Sequence, residues 1–290
     1  MGESFHDISS GESEPVRKIE YLSLPAEVSM TDGYFELASL DHFWVKRRFV
    51  VFRRLAGELI AAAREIAEIG CGHGVLQRQI EDAYEREVTG FDLNEHGLRQ
   101  NVSRRSRVCC YDIFQKDEAL QERFDIIFLF DVLEHMADED RFLKALMFHL
   151  APRGRLIVNV PAGEWAFSGY DGAAGHFRRY SVQTLKETAD RTSLDILKWS
   201  YWGLPLVPIL LVRKLRRIGN QDRSKSYAAG FDTRTATLNK LLGSISRCEL
   251  TPQKLMGTSL MAVLQPKQLG PECCRRDQWK HRQVWEAKLQ

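Results

Sequence analysis

The chain has 290 residues, 44% of them hydrophobic and 28% charged, with a net charge of +2. That is ordinary for a soluble globular protein and leaves room for one large α/β domain with insertions, or two small ones. A charge so near zero gives no reason to expect a nucleic-acid partner. The six cysteines (71, 109, 110, 248, 273 and 274) form no C-x-x-C pair, so no metal site is expected. Cys71 and Cys109 fall in segments expected to be buried, which fits reduced thiols in a cytoplasmic protein. The opening M-G-E-S-F-H-D-I-S-S is polar and carries no signal peptide.

Residues 1–30 show no hydrophobic period and are read as a flexible arm. From Tyr34 apolar residues recur at helical spacing with arginines on the other face, and Asp41 is placed to cap a helix running to about Ala63. The next segments alternate between strands near 65–70, 87–92, 107–111, 124–130 and 154–160 and helices near 75–84, 95–103, 116–121 and 138–150. Such alternation predicts a parallel sheet covered on both faces. The unbroken apolar run Ile126–Phe130 suits its centre. Further strands are expected near 193–198 and 257–265, separated by an insertion, 201–256, that is long for a compact domain. The insertion opens with an apolar run, 202–212, and a basic cluster, 213–217. The run is too short to span a bilayer, and a lid, a homodimer contact and peripheral binding at the inner face of a membrane all remain open to it. Residues 267–290 read as a charged tail or peripheral helix.

The densest signal is A-E-I-G-C-G-H-G, with Gly70, Gly72 and Gly74 directly after the first strand. Glycines there let the backbone turn tightly and a ligand approach the main chain, and a helix starting just beyond aims its N–H groups at the same place. Asp92 closes the second strand twenty positions after Gly72, the spacing at which a carboxylate meets ribose hydroxyls. A lone Asp at such a point is also a common turn former or helix cap. The glycines do not follow the dinucleotide pattern G-x-G-x-x-G, whose last position is Val75 here.

The pattern E-x-G-x-G-x-G resembles the first motif of class I S-adenosylmethionine-dependent methyltransferases. Asp92, Asp112 with Ile113, and the run F-D-I-I-F-L-F-D-V-L-E-H ending at His135 match further motifs of that family in order, over roughly positions 41–200 and a last strand near 257–265. The resemblance implies a Rossmann-like, doubly wound sheet of seven strands, mostly parallel with an antiparallel last strand and a helical insertion between strands six and seven. The domain is then 31–266. The implied cofactor is S-adenosylmethionine, held by Glu68, Gly70, Cys71, Gly72, Gly74, Asp92, Leu93, Asp112, Ile113, Asp131 and Val132. Glu68 has two roles open to it, a bond to the cofactor's ammonium or a pair with a neighbouring base.

Methyl transfer is an in-line displacement on carbon already activated by a sulfonium, so the protein's work is alignment and exclusion of water. An oxygen acceptor also needs a base, and histidine suits neutral pH. The candidates are His176, His135 and Asp171. Arg178 and Arg179 are candidates to hold an anionic acceptor, with Tyr180 and Trp165 at the same mouth. The function expected is methylation, chiefly on oxygen, of a small or lipid-like metabolite. An NAD(P)-dependent oxidoreductase and a non-catalytic module that keeps the fold are the alternatives.

Overall fold

The computed structural model describes residues 18–26, 39–217 and 236–267; side chains 213–217 are outside that description. Eight strands form one sheet: β1 (Glu20–Tyr21), β2 (Ile66–Ile69), β3 (Thr89–Asp92), β4 (Val108–Cys110), β5 (Phe124–Phe130), β6 (Leu150–Pro161), β7 (Leu194–Trp202) and β8 (Ser259–Pro266). Their order is β1-β4-β3-β2-β5-β6-β8-β7. All neighbours are parallel except β8, which runs antiparallel to both β6 and β7. The expected sheet is present with one addition. The short edge strand β1 lies within the stretch read as an arm and pairs with β4 at Glu20 and Tyr21.

The described helices are α1 (Phe43–Ala56), α2 (Leu59–Ala62), α3 (Val75–Tyr84), α4 (Glu95–Arg99), α5 (Glu139–Met147), α6 (Gly169–Ala173), α7 (Val182–Arg191), α8 (Val207–Arg217) and α9 (Ala236–Arg247). The central strand β5 shows how the two faces are built. Ile126, Phe128 and Phe130 point into a core shared with Val51, Phe52 and Leu55 of α1 and Leu76 and Ile80 of α3. Ile127 and Leu129 point into the opposite core, with Phe142 and Leu146 of α5 and Leu185 of α7. A strand buried on both faces has no polar alternation to display, which is why its sequence reads as a continuous apolar run.

Several expected boundaries shift. His42, not Asp41, caps α1: its Nδ1 accepts from the Trp44 N–H at 3.3 Å, while Asp41 pairs with Lys46 at 2.8 Å. The helix expected over 95–103 ends at Arg99, and that expected over 116–121 is a single 3-10 turn, Glu118–Leu120. β7 extends to Trp202, so the insertion proper starts at Gly203, two residues later than expected, and carries α8 and α9. No helix among the described residues is long and apolar enough to cross a membrane. The tail from 268 onward, with Cys273 and Cys274, lies outside the described residues, as does most of the arm.

The larger correction concerns α1. Its arginines do not all face water: Arg47 and Arg48 are 5% and 7% exposed. Arg47 donates to the Glu249 carbonyl at 2.8 Å, and Glu249 in turn accepts from the backbone N–H groups of Gly203 and Leu204. One buried ion pair thus ties both ends of the insertion to α1. Phe43 N donates to the Asn239 side chain of α9 at 2.8 Å, and α8 packs against the turn Glu164–Ala166. The insertion therefore packs against α1 and the loop that follows β6.

Candidate functional site: a glycine turn beside a histidine pair

Strand order reverses between β2 and β5, the position at which open α/β sheets form a crevice beyond the carboxyl ends of their strands. Gly70, Gly72 and Gly74 follow β2 with φ of 74°, 52° and 76°, all in the left-handed region that glycine enters without penalty. Gly70 N–H donates to the Phe91 carbonyl at 2.8 Å. A Cβ on Gly70 would lie 2.4 Å from Cγ2 of Val132, so the turn and the loop after β5 are in close contact. Gly70→Ala is expected to lower stability by about 1–2 kcal/mol from its backbone angle alone, and more if Val132 cannot move. A thermal melt showing no loss would contradict that packing.

Asp92 sits at the tip of β3. Its Oδ2 accepts from Gly72 N–H at 2.7 Å and its Oδ1 from Asn94 N–H at 2.8 Å. Each carboxylate oxygen keeps a second acceptor position, so the residue both braces the glycine turn and can receive two hydroxyls. Glu68, at the end of β2, is 4% exposed and its Oε2 has no hydrogen-bond partner. Burial pushes its carboxyl up to about 8, with the nearby Arg48 charge opposing and that of Asp92 adding. The nearby base, Arg48, makes its ion pair with Asp131 and not with Glu68. Gly74 supplies no side chain to cap α3, and the Gln77 backbone in its first turn bonds the Glu68 carboxylate instead. A buried acid with one unpartnered oxygen and a turn that a Cβ would fill suit a cationic, hydroxyl-bearing nucleoside.

The remaining cofactor candidates are arranged more loosely. Cys71 is buried, and burial raises its thiol well above the usual range. Leu93 packs beside Cys71, Leu98 and Cys110. Asp112 accepts from Phe114 N–H at 2.9 Å, and Ile113 is buried next to it. Asp131, with φ of 58°, is a non-glycine residue in the left-handed region, where backbone strain marks functional turns. Arg48 holds its Oδ2 at 2.5 Å and Asn159 its Oδ1 at 2.7 Å. Trp202 donates to Asn159 at 2.9 Å, and the Arg48 guanidinium lies 5.1 Å from the rings of both Trp44 and Phe130. Sequence reasoning missed Arg48, Asn159 and Trp202. The one signal available was a polar Asn inside the apolar strand Leu156–Val160.

The third loop, after β6, leaves the sheet at Pro161 and returns at Tyr180, where Ala162 and Tyr180 pair. Within it Asp171 is fully buried and organises everything around it. It accepts from Ser168 N–H at 2.9 Å, from Arg179 Nε at 2.7 Å and from His176 Nδ1 at 3.1 Å. These contacts hold its carboxyl below the usual range against its burial. Phe177 N–H donates to the Glu134 carbonyl at 2.8 Å, pinning this loop to the turn after β5. The His135 and His176 rings therefore meet edge to face with centroids 4.7 Å apart. Burial, followed by the neighbouring His176, takes His135 down to about 4, so its imidazole is neutral at physiological pH.

Arg178, Arg179 and Tyr180 do not converge on an acceptor. Arg178 and the Tyr180 hydroxyl both donate to Glu139, at 2.8 and 2.6 Å, and Arg179 is spent on Asp171 and the Ala162 carbonyl. They line a cavity of about 310 Å³ with Glu139, Thr184 and Thr188, on the side of the loop that packs on α5 and α7. Trp165 is 42% exposed, with Phe167 and Phe177 exposed in the same loop.

The sheet order, with its crevice where strand order reverses, is that of a Rossmann-like doubly wound fold. Residues 67–156 match the family model described as a methyltransferase domain. The chain is 30% identical over 159 residues to a probable S-adenosylmethionine-dependent methyltransferase of Mycolicibacterium smegmatis, covering 54% of this chain and 61% of that one. It is 31% identical over 140 residues to another of Mycobacterium tuberculosis, covering 47% and 50%. The chain thus spans half to three fifths of the length of these relatives. Among solved structures the 4+2 cyclase SpnF superposes with a TM-score of 0.51 at 14% identity, over 84% of this chain and 98% of that one; that likeness is of fold. Residues 67–156 thus match a methyltransferase domain, in a chain similar over about half its length to probable S-adenosylmethionine-dependent methyltransferases.

Proposed function

We propose that the protein transfers the cofactor's methyl group to an oxygen of a small or amphipathic metabolite. The observation that carries this reading is the contact between Gly70 and Val132, which sets the histidine pair three residues beyond the cofactor crevice. Glu68, Gly70, Cys71, Gly72 and Gly74 receive the aminoacyl end, Asp92 the ribose, and Leu93, Asp112 and Ile113 the base. Asp131 and Val132 form the wall between cofactor and acceptor. The acceptor's proton is handled at His135 and His176, with Asp171 fixing the orientation of His176. Asp171 itself is buried and committed to three donors, so it is a positioning residue.

Arg178, Arg179 and Tyr180 are assigned to holding the loop rather than the acceptor, since each already donates to a carboxylate of the protein. Trp165 and its exposed aromatic neighbours suit an acceptor with an apolar part. The insertion serves as a lid, an assignment supported by the packing of α8 on the Glu164–Ala166 turn and by the Glu249 tether. Closing a lid over the crevice excludes the water that would compete for the sulfonium. The test of the reading is transfer of a labelled methyl group from S-adenosylmethionine into a cell extract, with mass identification of the product. Label on an ether or ester oxygen of a small molecule is expected; label appearing only in RNA or protein would contradict it.

Glu68 gives the site a pH dependence of predictable sign. Its carboxyl titrates near 8 without ligand because burial disfavours the charge, and a cationic ligand needs that charge. Cofactor affinity should therefore fall as pH drops below about 8, by up to about tenfold per unit, with a proton released on binding. Glu68→Gln should flatten the profile. Calorimetry finding the same slope in the variant would assign the dependence elsewhere.

A further inference from the structure

Glu134, His135 and His176 are brought together by two loops, and one potential ligand atom from each lies within 4.8 Å of the others. We propose that these three side chains form a binding site for one divalent transition-metal ion, with Zn²⁺ as the best match. The Glu134 side chain is 1% exposed, and its Oε2 has no hydrogen-bond partner. A carboxylate oxygen kept dry and unpaired carries a large free-energy cost, which coordination to a cation removes. Both imidazoles carry the kind of outer contact that fixes metal-bound histidines. His176 Nδ1 is held by the buried Asp171, which Arg179 holds in turn, and His135 is hydrogen-bonded to the backbone of Gly175. Two imidazoles and one carboxylate form a donor set typical of catalytic zinc sites, which leave a position open. The ligand atoms must draw in from 4.8 Å to about 3.3 Å for bonds of about 2.1 Å, a change within reach of side-chain rotation.

The role of the ion rests on the methyl-transfer reading; the binding does not. The open position takes the acceptor hydroxyl, whose acidity rises on coordination. Its O–H bond breaks and the proton passes to water. The oxygen lone pair then forms the bond to the methyl carbon, the carbon–sulfur bond breaks, and its electron pair returns to sulfur to leave a neutral thioether. The histidine pair thereby acts on the acceptor's proton through the ion that it holds.

The test uses the full chain stripped with a chelator and titrated with Zn²⁺ alone. One ion per chain is expected, bound about 100-fold more weakly by His176→Ala and by Glu134→Gln, with Cys248→Ser unchanged. Substituting Co²⁺ in the unaltered chain gives a readout independent of any variant's folding: visible bands of a low-coordinate nitrogen–oxygen site are expected. No stoichiometric binding, binding indifferent to both variants, or a thiolate charge-transfer band placing the ion on cysteines would each overturn the proposal. The same stripped protein is titrated with S-adenosylhomocysteine. If that ligand binds and Zn²⁺ does not, the metal site fails alone; if Zn²⁺ binds and the nucleoside does not, the transferase reading fails alone.

Discussion

Replacing His176 with alanine is expected to lower turnover by about 10²–10⁴-fold, the usual worth of a positioned proton-transfer group, while leaving S-adenosylhomocysteine affinity within about twofold. The separation follows from where the side chain sits. His176 touches Asp171 and His135 and contributes nothing to the glycine turn or to Asp92. Its loss does not unmake the loop, because Asp171 remains bonded to Arg179 and Ser168 and the neck remains closed by the Ala162–Tyr180 pairing. A conservative check is Asp171→Asn, which keeps the shape but offers the Nδ1 hydrogen of His176 a weaker acceptor and should cost less than removal of the ring. Full activity in His176→Ala with normal binding would remove the residue from the chemistry altogether.

The second large effect is at Asp92, where the loss falls on binding. Asp92→Ala deletes the acceptors of the Gly72 and Asn94 N–H groups and the two positions offered to ribose hydroxyls. Charge-assisted bonds of this kind contribute roughly 1.5–3 kcal/mol each. Cofactor affinity should therefore drop by at least about 100-fold, and the melting temperature should fall because backbone donors are left unpaired. Asp92→Asn retains one carbonyl oxygen and should lie between. Equal affinity in wild type and Asp92→Ala, measured by calorimetry, would take Asp92 out of the site and leave it only the turn-forming role.

How much of this was legible in the sequence depended on whether the signal was local. The glycine turn, the strand-end position of Asp92 and the apolar β5 are legible because each is a contiguous pattern whose physical cause lies within a few residues. The antiparallel last strand was legible only through the family resemblance. What local pattern could not carry is pairing across the chain. Arg47 and Arg48 look like the solvent face of an amphipathic helix until Glu249 and Asp131, roughly 200 and 80 residues away, supply buried counter-charges. Arg178, Arg179 and Tyr180 look like an anion site because their partners, Glu139 and Asp171, are ordinary acids in the sequence. The meeting of Glu134 and His135 with His176 was hidden for the same reason: no metal-ligand spacing joins them, and their loops are brought into register by bonds such as those from Phe177 N–H to the Glu134 carbonyl and from Arg178 to the Ala137 carbonyl. Asp41 lost the cap of α1 to His42 by a choice one residue wide, which helix propensity cannot resolve.

The proposed function requires the crevice between the glycine turn and β3 to hold the cofactor nucleoside with its sugar on Asp92. The direct measurement is a crystal structure of the chain grown with S-adenosylhomocysteine. Both ribose hydroxyls are expected on the Asp92 carboxylate, the amino-acid end against Glu68 and Gly70, and the sulfur facing Val132 and the histidine pair. An empty crevice, or a nucleoside bound away from Asp92 with side chains filling the turn, would contradict it.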